Sequence, residues 1–342
     1  MKILIPTLRS ASGSDVYFQD LKNALSKGPI TIEIMRLAPY LEFTPYVARA
    51  ALFWGGELRH SALVHTNADY GIMFKVPSKP FVVTVHHDVF DENYQRCTNL
   101  PQKIYHYGLL KRRVAQALRS ADRVVAVSYS TKASLERTFG FTKIEVIYNG
   151  VDPVAFRPKE VQSPEEFRKK IKLLFVGNLL KRKGADLLPQ IMERLGERYV
   201  LFYTGGPRSG AISRQANAIS LGSVPREKLV DIYNMCDIFL FPSRLEGFGY
   251  VVAEAMACRK PVVCTNCSSL PELVVDKKGG FLCQRDNVED FVEKITLLGA
   301  DPGLRESIGD FNRQRILENF TLDKMADSYL QLYQGVLRAD SG

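Results

Sequence analysis

The chain has 342 residues, 46% of them apolar and 24% charged; the length suits two domains of about 150 residues, and the composition excludes disordered and fibrous classes. Lys and Arg total 46 against 37 Asp and Glu, a net charge of +9. Residues 1–153 hold 19 basic and 13 acidic side chains, and a basic first half points to an anionic partner: a membrane surface, a nucleic acid or a phosphorylated small molecule.

The N-terminal M-K-I-L-I-P run ends at Pro6, too short for the ~7–15-residue core of a signal peptide, and reads as a strand over 2–6. Residues 14–26 follow with helical periodicity (Val16, Phe18, Leu21, Leu25). Strands are predicted at 30–35, 62–66 and 81–86, the last nearly continuous in β-branched residues, as in a strand buried on both faces. Between the first two of these, Tyr46 to Trp54 reads as a core helix. The apolar run there, Tyr46 to Gly56, carries Arg49 and is far shorter than the ~18–20 residues of a membrane span. Residues 101–119 read as a basic helix, with Lys103, Lys111, Arg112, Arg113 and Arg119 interleaved with Tyr105, Tyr107, Leu109 and Leu110. That mixture fits a helix lying on an anionic membrane or a solvated face packed through its Leu and Val. Strands at 123–127 and 143–147 flank a helix at about 130–138. The β-α-β rhythm implies a parallel sheet covered by helices.

From Val151 to Lys170, three prolines, mixed charges and few apolar residues read as a linker. The rhythm then restarts. Strands are expected at 171–176, 199–204, 237–241 and 261–264. Helices are expected after Gly184, at 226–235, from about Phe248, and at 287–298, 302–318 and 322–337. Two doubly wound domains in tandem face each other across a cleft at the carboxyl ends of their strands, the usual ligand position in such sheets.

The strongest local signal is S-R-L-E-G-F-G-Y-V-V-A-E-A-M-A, Ser243 to Ala257. A strand ends at Phe241–Pro242, Glu246 follows in a loop, Gly247 and Gly249 permit close backbone approach, and a helix begins with Glu254 in its second turn. A helix N-terminus after glycines is an anion site, through free N–H groups and the macrodipole. Two carboxylates, one before the helix and one within it, can reach different hydroxyls of one ligand. Each taken alone also fits an ordinary solvated glutamate.

The segment E-G-F-G-Y-V-V-A-E resembles the Glu-x7-Glu motif of retaining glycosyltransferase family 4, of the GT-B fold. Further segments resemble the same family in the same order: the Gly13–Ser14 turn, T-V-H at 84–86, V-A-V-S at 125–128, I-Y-N-G-V-D at 147–152, F-V-G-N-L-L-K-R-K-G at 175–184, G-S-V-P-R-E-K-L at 222–229 and P-E-L-V at 271–274. The likeness is dense after Lys143 and thin before it. It implies an α/β protein with an acceptor-side domain at 1–153 and a nucleotide-sugar donor domain at 154–321. A helix at 322–338 is expected to pack back on the first domain through Leu322, Met325, Tyr329, Leu332, Tyr333 and Val336.

The same resemblance implies the site. Lys183 matches the family's diphosphate lysine, and K-R-K-G, a basic turn that follows a strand and opens a helix, suits a diphosphate, although it also fits a plain basic surface. The arginine usually found slightly earlier aligns with Asn178, which leaves Arg182 as the nearest replacement. Glu246 is expected to hold sugar hydroxyls, Glu254 the ribose, and His86 the donor sugar, with His87 beside it as the competing histidine. Gly13, Val224, Gly247, Phe248, Gly249, Tyr250 and Val251 complete the expected donor site, with Glu246, His86 and Lys183 as its catalytic residues.

No Asp-x-Asp occurs in the chain, so no metal or other cofactor is expected on the diphosphate. Six cysteines form no disulfide framework. Cys264 and Cys267, with Cys258 and Cys283 nearby, lack the paired spacing of a four-thiolate zinc site and read as reduced structural thiols. The five histidines (60, 65, 86, 87, 106) show no zinc-like spacing beyond the adjacent pair. The expected function is retaining transfer of a sugar from a UDP- or GDP-sugar to a hydroxyl, on a lipid-linked acceptor or a cell-envelope glycan, by a cytoplasmic enzyme peripheral to the membrane. Nucleic acid is not an expected partner. A nucleotide-sugar epimerase on the same fold and a non-enzymatic membrane- or nucleic-acid-binding protein are the competing readings.

Overall fold

The computed structural model describes residues 2–8, 13–26, 28, 30–38, 50, 56–205 and 210–340. The expected helix over Tyr46–Trp54 lies outside the described residues. The chain forms two compact units, one of residues 1–150 with 322–342 and one of residues 151–321.

In the first unit, β1 (Lys2–Leu8), β2 (Thr31–Leu37), β3 (Leu63–Asn67), β4 (Phe81–Val85), β5 (Arg123–Ala126) and β6 (Ile144–Val146) form one sheet in the order β2-β1-β3-β4-β5-β6. Every pairing is parallel. The two central strands, β3 and β4, are buried at every residue, so neither shows the apolar–polar alternation of a half-buried strand. The polar residues of β3 are satisfied internally: Thr66 donates to the Pro6 carbonyl at 3.0 Å, and the Asn67 amide to the Tyr70 hydroxyl at 3.2 Å.

The basic run is a helix in three parts. Leu100–Tyr105, capped by a reciprocal Asn99–Gln102 box, passes into a five-residue π turn, His106–Leu110, and on into Lys111–Ser120. The π turn keeps His106 and Leu110 inward, in line with Val114, Ala117 and Leu118. The helix Leu322–Asp340 belongs to this unit. It buries Met325, Ala326, Tyr329, Leu332, Tyr333 and Val336, and Met325 Sδ accepts the Gly150 N–H at 3.3 Å.

In the second unit, β7 (Ile171–Phe175), β8 (Tyr199–Tyr203), β9 (Ala218–Ser220), β10 (Ile238–Phe241), β11 (Val262–Thr265) and β12 (Gly280–Cys283) form a second parallel sheet, in the order β12-β11-β10-β7-β8-β9. Sequence pattern alone misses the two edge strands. β9 has only three residues, and β12 opens on Gly280, where a side chain would stand 1.9 Å from the Val262 carbonyl oxygen. Short edges of this kind carry little periodic signal.

Two further expectations are corrected. Lys181–Lys183 is a single 3-10 turn closed by Gly184, and the helix starts only at Leu188, running to Leu195. The basic turn therefore opens no helix. The segment read as a linker is anchored to the second unit: Val151 N–H donates to the Phe320 carbonyl at 2.8 Å, and the Arg313 guanidinium reaches the carbonyls of Pro153, Phe156 and Ala257.

Candidate active site

The Glu246 loop is built by three segments that meet beyond the carboxyl ends of β7, β10 and β11. β10 ends at Phe241 and is followed by Pro242, which the K-R-K-G turn after β7 approaches closely. Gly184 has φ of +71°, and a Cβ there would lie 2.0 Å from the Pro242 carbonyl oxygen. Only glycine satisfies both demands. The approach puts Lys183 Nζ 2.6 Å from Glu246 Oε1 and 5.2 Å from the centre of the Phe241 ring. The Arg182 guanidinium lies 3.9 Å from the same carboxylate oxygen and donates to the Leu245 carbonyl at 2.9 Å. Ser243 Oγ also donates to Glu246 Oε1, at 2.6 Å.

Glu246 is 9% exposed in its side chain. Burial alone raises its pKa, but Lys183 and Arg182 outweigh burial, and hydrogen bonds from Lys183 and Ser243 add to them. The carboxylate is held below its ordinary range and stays ionised. The Lys183 pKa is lowered, first by burial, with Glu246 drawing it back.

Supports that sequence reasoning missed surround the loop. Arg244 makes a bidentate pair with Asp186 at 2.7 and 2.9 Å and a further bond to Asp286 at 2.7 Å, and its guanidinium also reaches the Lys181 carbonyl. Its own N–H donates to the Arg182 carbonyl at 2.8 Å, so Arg244 ties the basic turn to the glutamate loop. On the other side, Ser268 Oγ accepts the Glu246 N–H at 2.9 Å, and Ser269 Oγ donates to the carbonyls of Glu246 and Phe248. The Cys267 thiol donates to the Ser243 carbonyl at 3.2 Å. Burial pushes the thiol pKa values of Cys258, Cys264, Cys267 and Cys283 up. The C-x-x-C segment thus braces the loop. Its visible signal was the T-N-C-S-S-L-P run directly after a strand.

The helix expected from Phe248 spans Tyr250–Ala257, with Gly249 at its N-cap at φ +99°. Gly247 and Val251 are half-buried, while Phe248 is buried and packs edge-on to the half-buried Tyr250 ring at 5.6 Å. Glu254 is only 4% exposed in its side chain. Its Oε1 accepts from Arg226 Nε at 3.0 Å and its Oε2 from the Tyr233 hydroxyl at 3.0 Å. Arg226 also stacks over Phe156 at 5.4 Å. The motif's second glutamate is therefore a buried, oriented carboxylate with one lone pair on each oxygen already used. Of the other expected donor residues, Asn178 is exposed, and Val224 is half-buried in the turn before the helix Arg226–Met235.

Gly13 and His86 belong to the first unit. Gly13 opens the helix Gly13–Leu25. His86 follows β4, with Tyr17 edge-on at 4.6 Å and Phe18 at 5.9 Å. Its Nε2 is buried and has no hydrogen-bond partner among the described residues. Burial, with a smaller push from His87, brings its pKa down to about 3, so the ring is neutral at physiological pH. His87 instead stacks on Tyr94 at 5.5 Å. Behind His86 runs a buried chain of polar groups: Tyr17 donates to the Tyr329 hydroxyl, which lies 3.0 Å from Thr84 Oγ1; Thr84 meets His65 Nε2 at 2.7 Å, and His65 Nδ1 meets the Tyr333 hydroxyl at 2.7 Å. No group of three or more His, Cys, Asp or Glu side chains suited to a metal ion occurs among the described residues.

Comparisons with known proteins match both halves. A family profile described as Glycosyl transferases group 1 matches residues 156–315, and one described as Glycosyltransferase Family 4 matches residues 16–154. An uncharacterized glycosyltransferase of Methanocaldococcus jannaschii is 29% identical over 226 residues, 64% of this chain and 61% of that protein. D-inositol 3-phosphate glycosyltransferase of Streptomyces bingchenggensis is 28% identical over 250 residues, 65% of this chain and 55% of that protein. The chain thus spans less than two thirds of the length of these curated relatives.

Among solved structures, sucrose-phosphate synthase from Thermosynechococcus elongatus superposes with a TM-score of 0.86 at 20% identity, covering 99% of this chain and 100% of that one. Anabaena HepE in complex with UDP and glucose superposes with a TM-score of 0.77 at 18% identity, covering 98% and 100%. These likenesses give the GT-B fold. With the two adjoining profile matches, and with a Glu246–Glu254 segment that meets the basic turn at Glu246 and contains the N-terminus of the helix Tyr250–Ala257, the chain belongs to glycosyltransferase family 4.

Proposed function

We propose that the protein transfers a glycosyl group from a UDP- or GDP-sugar to an acceptor hydroxyl, with retention of anomeric configuration. The observation that carries this reading is the Lys183–Glu246 pair, set beside the N-terminus of the helix Tyr250–Ala257. A cation and an oriented carboxylate at one loop suit a ligand that carries a diphosphate and sugar hydroxyls together. Relatives named as glycosyltransferases, and HepE with its UDP and glucose, support the same class.

In this reading the bond from the anomeric carbon to the diphosphate breaks, and its electron pair leaves with the diphosphate. Lys183, Arg182 and the amides that follow Gly249 stabilise that charge, the largest service such a site can offer. The acceptor oxygen forms the new bond on the same face and passes its proton to the departing phosphate oxygen. Glu246 holds sugar hydroxyls, and Glu254, steadied by Arg226 and Tyr233, accepts from the ribose. For His86 we infer a hydrogen bond to a donor-sugar hydroxyl, made by the neutral ring. The protein cations take the place of a divalent metal, so transfer is expected to survive chelation by EDTA.

The test is a thermal-shift screen of UDP-, GDP- and ADP-sugars, because a ligand bound only by the folded state raises the melting temperature. A stabilising donor is then offered candidate hydroxyl acceptors, and the product anomer is read by NMR. Stabilisation by no nucleotide sugar overturns the reading. Turnover of the donor without any acceptor points to an epimerase.

A further inference from the structure

The three-part basic helix carries a feature that the donor site does not use. Residues 99–104 are exposed throughout. Leu100 is 70% exposed, Ile104 65%, Tyr107 49% and Leu109 38%. Four large apolar side chains stand in the solvent within ten residues, on a helix whose inward line is filled by His106, Leu110, Val114, Ala117 and Leu118. Interleaved with them, Lys103 and Arg112 are exposed, and Lys111 lies over the Tyr107 ring at 5.5 Å. Between Leu100 and Ala121 there is no acidic side chain.

We propose that the protruding helix Leu100–Tyr105 and the π turn after it form a docking surface for an anionic lipid bilayer, with Leu100, Ile104, Tyr107 and Leu109 entering the interface and Lys103 and Arg112 meeting the headgroups. Exposed Leu and Ile at this density find no match on a nucleic-acid backbone, which asks for cations and stacking rings. A second copy of the chain brings the same uncompensated cations to the same place and is repelled. An anionic bilayer offers apolar depth and negative charge together, the pairing that interfacial helices exploit. No described helix is long and apolar enough to cross a membrane, so the attachment is to one surface. The inference stands apart from the donor reading, because these residues belong to the first unit and the Lys183–Glu246 loop to the second.

The experiment is flotation of the full chain with phosphatidylglycerol or phosphatidylcholine vesicles, at low and high salt. The wild type binds the anionic vesicles and is released by salt. Lys103→Gln with Arg112→Gln weakens binding roughly 30-fold, at about fivefold per cation. Leu100→Gln with Ile104→Gln weakens it more than about tenfold. Both double variants keep the wild-type melting temperature, since all four residues are exposed. Binding to neither vesicle, equal binding to both, or binding unchanged by the two variants overturns the proposal. So does a wild-type dimer in sedimentation velocity that Leu100→Gln with Ile104→Gln dissociates, because the occupant is then a second copy.

Discussion

In the second unit the two glutamates of the motif are buried as ion pairs; in the first, the polar chain behind His86 is uncharged. Lys183 with Glu246 and Arg226 with Glu254 keep formal charges at 9% and 4% side-chain exposure of the two carboxylates. Tyr17, Tyr329, Thr84, His65 and Tyr333 form a chain of uncharged hydrogen bonds with every member fully buried. Keeping ions out of water is costly unless each finds a partner, and each of these carboxylates has one, Lys183 for Glu246 and Arg226 for Glu254. The first unit uses its polar groups to fasten a helix to a sheet, and leaves one buried imidazole nitrogen, His86 Nε2, without a partner among the described residues.

The sharpest way to break that contrast is Glu246→Ala. In the proposed reaction its carboxylate acts on the sugar, so kcat should fall about 100-fold or more, while the dissociation constant of the nucleoside diphosphate changes far less. Near-normal turnover in a folded variant removes Glu246 from the reaction. Lys183→Ala should act on the other quantity. Loss of a charge-assisted hydrogen bond to phosphate weakens nucleoside diphosphate binding by about 1.5–3 kcal/mol, readable by calorimetry, whereas Lys181→Ala, at an exposed position, leaves it nearly unchanged. Equal small effects at both positions reduce the turn to a basic surface.

Acidification separates the units directly. His65 and His86 are both held near a pKa of about 3, mainly by burial. The unfolded chain takes up protons at its ordinary 6.5, so their contribution is present above pH 6.5 and lost as pH falls from there toward 3. Each costs about 1.4 kcal/mol per pH unit within that window. Glu246 is depressed below its ordinary 4.5, so its contribution is lost only as pH falls below that value. Native-state hydrogen exchange at pH 7.5 and 5.5 should therefore show amides of β3 and β4 losing protection before those of β10 and β11. The reverse order contradicts the assignment of neutral histidines to the first unit.

The smallest effect is expected from Tyr329→Phe. It removes one hydroxyl from the chain and takes the acceptor from Tyr17, while Thr84 keeps its bond to His65, at a cost of about 1–2 kcal/mol. Chemical denaturation measures the loss, which should appear in first-unit probes alone.

What was legible in the sequence follows the range of the interactions. β4, β8, β10 and β11 are buried on both faces and read as nearly continuous apolar runs, whereas β9 and β12 lie at the sheet edges and left no run to read. The Glu246–Glu254 segment announces itself because strand, glycines and helix fall within fifteen residues. Arg244 with Asp186, Ser268 with the Glu246 amide, and Arg226 with Glu254 do not, because each joins residues far apart in the chain whose types are common on any surface. The expectation that K-R-K-G opens a helix failed for a steric reason: Gly184 turns the chain in the left-handed region to pass Pro242, and helical geometry is recovered only at Leu188.

The bond between Tyr17 and Tyr329 joins residues 312 positions apart. The first unit draws its parts from both sides of Val151–Thr321, so during synthesis it waits. Its sheet emerges from the ribosome first, yet the helix that caps Tyr17, Thr84 and His65 emerges after the entire second unit, which is continuous and can close on its own. Such non-local closure is slow and leaves apolar surface open in the interval. The nascent first unit is therefore the part of this protein most exposed to aggregation and most in need of chaperones, and a fusion or stop codon that disturbs residues 322–340 harms the half of the protein made earliest.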